Sequence, residues 1–299
     1  MDRLLLLLVA LLVIAPLRAQ QIAITFDDLP EHGDLPPGVT RLQVARSILS
    51  TLKAEHIPPV YGFVNAVALE DTPDEMAVLS AWRAAGQMLG NHTYSHPRLT
   101  DSTVTQYEAD IARDESLLTK LMVGQDWHWF RYPYLREGET LAKRDAIRAY
   151  LEQKGYRTAQ VSLNFEDHMW NDPYARCSEK HDLKAIASLK QSYLAAAVQS
   201  ITDFRDVTHT LYGRDISYVL LLHFGAFDAK MLPDLITLLR RRGFTFTTLP
   251  EAMKDSVYRE DPNVALPDGR TFQEQVAIAR HIKFPADTKP YKEVDSACR

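Results

Sequence analysis

The sequence predicts an α/β fold with a parallel sheet, on three observations. Apolar runs of strand length, such as Ile22 to Phe26 and Tyr218 to Leu222, alternate six or seven times with segments of helical period. No two runs are joined by a hairpin signal, so successive strands need crossover helices. With 299 residues the chain can bury one large core, and a single domain of that size points to closure into a barrel, on which periodicity itself is silent.

The opening strand is QIAITFDDLP, residues 21–30, an apolar run that stops at two adjacent acids, Asp27 and Asp28. A Gly- and Pro-containing loop leads to a helix over 40–55, with Leu42, Val44, Ala45, Ile48, Leu49 and Leu52 on one face. A strand at 60–64 and a helix over 73–85, opened by Pro73 and closed by Gly86, follow. Met88-Leu89 is a short strand running into Gly90-Asn91-His92, and 104–122 is helical. Strands at 127–131 and 158–163 flank a helix over 140–153, and 172–182 reads as a polar insertion. Leu183, Ile186, Leu189, Tyr193, Ala197, Ile201 and Phe204 mark a long helix. A fully apolar strand at 218–222 ends at His223, and a helix over 230–241 and a last strand at 244–248 follow. From about residue 256 the tail is polar, with one amphipathic patch near 272–282.

Residues 1–19 stand apart: Leu4 to Leu17 is almost continuously apolar after Arg3, which fits a secretory signal cleaved after Ala19. At roughly 14 apolar residues it is short of the about 20 a membrane span needs, so export to the periplasm or medium is expected, without a stable membrane span. The two cysteines, Cys177 and Cys298, permit one disulfide in such a compartment, pinning the tail to the body. With a net charge of -5 and Arg240-Arg241-Arg242 as the densest basic run, nucleic acid is not an expected partner. The chain has no G-x-S-x-G, G-x-G-x-x-G or P-loop pattern, so serine hydrolase, dinucleotide and nucleotide-phosphate chemistry lack their signatures. Oligomeric state is not legible.

Four strand ends carry chemistry. The Asp27-Asp28 pair sits at the carboxyl end of a buried strand, where ligands collect in α/β folds. His92-Thr93-Tyr94-Ser95-His96 places two histidines four apart, in a loop or irregular turn because Pro97 disfavours helix at His96. An open metal site needs three protein ligands, and Asp28 is the natural third. Thr93 occupies the place of a zincin's glutamate, so the base must come from another segment, and Asp27 is the candidate. Arg131 in Arg131-Tyr132-Pro133-Tyr134 can fix a nearby carboxylate, and the turn can present a backbone N–H. His223 can protonate a leaving group near neutral pH.

Taken in this order, TFDD, HTYSH, RYPY and LLLH resemble the motifs of the polysaccharide deacetylase family, the NodB-homology domain of carbohydrate esterase family four, over residues 20–255. The resemblance implies a distorted (β/α)7 barrel, a single catalytic domain with residues 256–299 as an extension packed on it. It implies a metal-dependent hydrolase that removes acetyl groups, N-acetyl first, from an acetylated saccharide. It assigns Asp28, His92 and His96 to one divalent metal, zinc first with cobalt, nickel or manganese open. Asp27 becomes the base, His223 the acid, Arg131 the holder of the base, and Tyr134 the residue whose backbone N–H faces the oxyanion and substrate. The family's fourth motif, Asp-x-x-Asp-Trp, is reduced here to Asn164-Phe165-Glu166-Asp167-His168, so Asp167 is expected to support Arg131 and Trp170 to replace the missing tryptophan wall. Phe224 stands where the fifth motif has Asp and is expected to shape the substrate pocket. Two other readings stay open: an amidohydrolase or esterase for a smaller acylated compound, and a carbohydrate-binding pseudoenzyme.

Overall fold

A computed structural model describes residues 20–299; the signal-like leader lies outside them. Seven parallel strands form one curled sheet in the order β5-β4-β3-β2-β1-β6, with β7 paired to the start of β1. The strands are β1 (Gln20–Leu29), β2 (Tyr61–Val64), β3 (Met88–Asn91), β4 (Trp129–Phe130), β5 (Arg157–Thr158), β6 (Tyr218–His223) and β7 (Phe244–Phe246). The segment after β5 reaches round to β6 through a bridge between Leu163 and Leu220, so the α/β sheet closes into a barrel.

Alternation along the strands divides the core in two. Ile22, Ile24 and Phe26 of β1, with Leu220 and Leu222 of β6, point outward into the layer shared with the helices. Ala23 and Val219 point inward, where Tyr61, Phe63, Trp129 and Ala159 fill the barrel. Continuing the inward parity toward the carboxyl ends gives Asp27 on β1, Arg131 just past β4 and His223 on β6. The site is thus the top layer of the barrel interior.

The surrounding helices are α1 (Arg41–Ala54), α2 (Ala68–Asp71), α3 (Met76–Ala84), α4 (Val104–Leu121), α5 (Leu141–Gln153), α6 (Asn171–Glu179), α7 (Leu183–Tyr212), α8 (Ala226–Arg241), α9 (Leu249–Ala252), α10 (Phe272–Ala279) and α11 (Tyr291–Ser296). Local sequence starts several of them: Thr40 with Gln43 and Thr103 with Gln106 form capping boxes. The 172–182 segment is corrected from a polar insertion to a helix, α6, which buries Pro173, Ala175 and Cys177. Its polar residues hid that narrow small-residue face. The 158–163 strand is likewise cut to β5 plus the Leu163 bridge.

The tail is knitted to the barrel where β4 and β5 are short. Phe272 N donates to Val161 O at 2.7 Å, Leu266 N to Gly138 O at 3.1 Å, and Gln273 Nε2 to Ser162 O at 2.8 Å. A Cβ at Gly269 would lie 1.7 Å from Tyr134 O, so the tail can pass the Tyr134 turn only with glycine there. Cys177 of α6 and Cys298, beyond α11, form a disulfide. Among the described residues no helix is long and apolar enough to cross a membrane.

Candidate active site

The two acids of the opening motif would face opposite ways in a regular strand. The β1–β2 register shifts between Phe26 and Leu29, and Asp28 has φ 63°, so the irregularity swings Asp28 to the side of Asp27. Asp27 is buried against Arg131, whose Nη1 donates to its two oxygens at 3.1 and 3.3 Å. Arg131 is fixed by donating to Ala159 O at 2.6 Å and Thr25 Oγ1 at 3.2 Å, and its guanidinium lies 4.6 Å from the centre of the Phe63 ring.

The histidine motif is irregular, with φ of 64° at Thr93 and 54° at His96. Its shape comes from neighbouring side chains. Thr93 N donates to Asn91 Oδ1, Asn65 Nδ2 donates to the carbonyls of His92 and Thr93, and Ser95 N and Oγ donate to Asp110. His92 Nδ1 lies 2.7 Å from Arg131 O, and since a carbonyl only accepts, Nδ1 carries the hydrogen and Nε2 keeps a free lone pair. That Nε2 is 3.4 Å from Asp28 Oδ1, and His96 Nε2 is 3.3 Å from the same oxygen.

Asp28 Oδ1 is buried and has no hydrogen-bond partner among the described residues. A lone carboxylate oxygen facing two imidazole nitrogens is the donor set of an open zinc-type site, so the residues fit a divalent metal. Burial works to raise the Asp28 carboxyl, but the hydrogen bond from His32 and the neighbouring His92 and His96 rings win and hold it well below the usual range. Burial lowers His96 to about 4, which leaves its ring neutral for ligation.

His223 lies beside Asp27 in the β1–β6 register. Asp167 holds it twice, accepting from His223 N at 2.6 Å and pairing Oδ1 with Nδ1 at 3.0 Å, which leaves Nε2 free. This corrects the expectation that Asp167 supports Arg131: the turn after Phe165 carries it to the β6 side of the barrel. Asp167 is backed by Asp228 of α8, itself bonded by Asn171 Nδ2 at 2.7 Å and Tyr193 Oη at 2.9 Å. Burial pushes the Asp167 carboxyl up to about 7 and lowers His223 to about 4, the neighbouring His32 adding to the latter. A Cβ at Gly225 would fall 2.1 Å from Asn171 Oδ1, so glycine admits the Asn171 side chain that caps this network.

Tyr134, with φ 57°, is 46% exposed and sets its ring 4.4 Å from that of His96, forming one lip of the site. A cavity of about 350 Å³ lined by Asp28, His32, Arg41, Val67 and His96 opens beside it. Two expected substrate contacts are corrected. Trp170 is fully buried, packs on Tyr193 and donates Nε1 to Ser192 Oγ at 2.9 Å. Phe224 is fully buried against Trp82, because it continues the outward parity of Leu220 and Leu222. Neither side chain can touch a substrate.

His32 and Asp228 were missed from sequence. His32 Nδ1 bonds Asp28 Oδ2 at 2.7 Å, and its ring lies 4.7 Å from that of His223. Asp228 had a usable signal in its place five residues after His223 at a helix start, whereas His32 sits in a loop with none.

Residues 15–159 match the model of the polysaccharide deacetylase family. Peptidoglycan-N-acetylmuramic acid deacetylase PdaA of Bacillus subtilis is 24% identical over 243 residues, covering 81% of this chain and 74% of that protein. A peptidoglycan-N-acetylglucosamine deacetylase of Bacillus cereus is 29% identical over 245 residues, covering 82% and 72%. A solved mutant of a CE4 family pseudoenzyme with restored enzymatic activity, whose wild type is from Bacillus anthracis, has the same fold with a TM-score of 0.54 at 15% identity, over 79% of this chain and 68% of that one. Residues 15–159 are thus a domain of the polysaccharide deacetylase type, the NodB-homology group of carbohydrate esterase family four.

Proposed function

We propose that this protein is an exported, metal-dependent deacetylase that hydrolyses N-acetyl groups of a saccharide. The observation that carries the reading is the convergence of Asp28 Oδ1, His92 Nε2 and His96 Nε2, with the Arg131-held Asp27 on one side and the Asp167-held His223 on the other. A binder needs neither a base nor an acid, so the complete set argues against a silent carbohydrate-binding module.

Asp28, His92 and His96 would hold one divalent ion, zinc first, which when bound supplies Lewis acidity and lowers the pKa of water. Asp27, its carboxylate oriented by Arg131, accepts a proton from the attacking water at the oxygen nearer His92. The Tyr134 N–H donates to the carbonyl oxygen as negative charge grows on it. His223, protonated at Nε2 with its Nδ1–H kept on Asp167, passes the Nε2 proton to the departing nitrogen as the carbon–nitrogen bond breaks, and is recharged from solvent as Asp27 gives up the proton it took from water. A protonated imidazole with so low a pKa is a strong acid toward an amine. Export is supported by the apolar leader and by the Cys177–Cys298 disulfide, a bond favoured outside the cytoplasm.

Acetate release from N-acetylglucosamine oligomers, peptidoglycan, acetyl-xylan and small acyl amides, with and without chelator, tests the reading. Chelator-sensitive release from the N-acetylated glycans is expected. Release only from the small amides would move the function to a general amidohydrolase, and release insensitive to metal removal would end the metal scheme.

A further inference from the structure

The segment Asn164 to His168 departs from the family pattern at a position that faces the site, with His168 where the motif carries tryptophan. Its ring lies 4.9 Å from that of His223. One ligand-type atom each from Asp167, His168 and His223 falls within 4.8 Å of the others, a grouping distinct from Asp28, His92 and His96. His168 Nδ1 is buried without a hydrogen-bond partner among the described residues, and the carboxylate nearest it, of Glu166, is 3.6 Å away.

Two imidazoles and a carboxylate are the ligands that zinc, cobalt and nickel favour. Tetrahedral zinc sets its ligand atoms roughly 3.3 Å apart. No hydrogen bond at Nδ1 fixes the His168 ring against moving toward the other two ligands. Asp167 is held from behind by Asp228, the outer support metal ligands commonly have.

We propose that Asp167, His168 and His223 form a second divalent-cation site, and that an ion of the zinc class bound there inhibits turnover by occupying His223. The inhibitory half rests on the function proposed above, in which His223 carries the proton; the binding half does not.

The test uses untagged full-length protein stripped with chelator, dialysed against rising zinc or cobalt, and read by elemental analysis and by acetate release on the same samples. Wild type should bind two equivalents, and activity should rise with the first and fall about a hundredfold with the second, the scale of a lost general acid. His168→Gln should bind one equivalent, stay active and escape the fall. Asp28→Ala should also keep one equivalent, which the Asp28→Ala/His168→Gln double variant loses. A single equivalent in wild type, or two in His168→Gln, would overturn the site. If no substrate yields acetate, the stoichiometries still decide it, and the failure then belongs to the proposed function.

Discussion

Replacing Asp27 by asparagine keeps the shape of the site and removes one charge, which separates proton transfer from metal holding. The carboxamide oxygen introduced there can still accept from Arg131 Nη1, which lies 3.1 Å from the native carboxylate, and Arg131 keeps Ala159 O and Thr25 Oγ1. Deleting one partner of a buried ion pair outright costs about 3–5 kcal/mol, so this milder change should cost less, about 1–3 kcal/mol. Turnover should fall about 10²–10⁴-fold, the contribution of a positioned base, or roughly 3–5 kcal/mol in the barrier. Metal content should stay at the wild-type stoichiometry, because Asp28, His92 and His96 are untouched. The assay is initial-rate acetate release at saturating substrate, with elemental analysis and urea denaturation on the same preparation. Turnover within about tenfold of wild type, with metal bound and the fold intact, would refute Asp27 as the base.

Asp28→Ala and His92→Ala should lose tightly bound metal together with activity; metal retained at wild-type stoichiometry would remove them from the ligand set. Cys298→Ser opens a loop whose ends are 121 residues apart, for which chain entropy sets a ceiling of about 5 kcal/mol, so a fall of about 2–5 kcal/mol in urea denaturation is expected. An unchanged midpoint would show that the tail is held by packing alone. Burial lowers His168 to about 3, whereas an unfolded histidine titrates near 6.5. Between those values only the unfolded chain binds the proton, so the stability tied to this residue is lost as pH falls below about 6.5. In chelator, wild type should therefore lose stability relative to His168→Gln between about pH 7.5 and 5, by well under roughly 2 kcal/mol because the ring is a third exposed. A difference that does not change with pH would place His168 in a more solvated setting.

Much of the fold was written in local pattern. Apolar runs gave β1, β2 and β6 nearly to the residue, and the helices read at 40–55, 104–122 and 140–153 start within a residue of α1, α4 and α5. Where the pattern misled, the cause was tertiary. The 127–131 and 158–163 runs form only two-residue strands, and beyond β5 the tail takes the carbonyls of Val161 and Ser162 that a strand neighbour would otherwise take. α6 escaped notice because its buried face is made of small residues, not large apolar ones.

By itself the sequence determined which residue types stand at the strand ends and in what order: the paired acids, the two histidines, the arginine and the last histidine. It could do so because strand termini and turns are set by neighbours along the chain. Only the tertiary structure decided which way those side chains face. The bulge at Asp28 turns two consecutive acids to one side, inward parity brings Asp27, Arg131 and His223 to the top of one barrel, and the turn after Phe165 gives Asp167 to His223 and leaves Trp170 in the core. A side chain's direction depends on strand register and on partners more than a hundred residues away, and that information has no local signature.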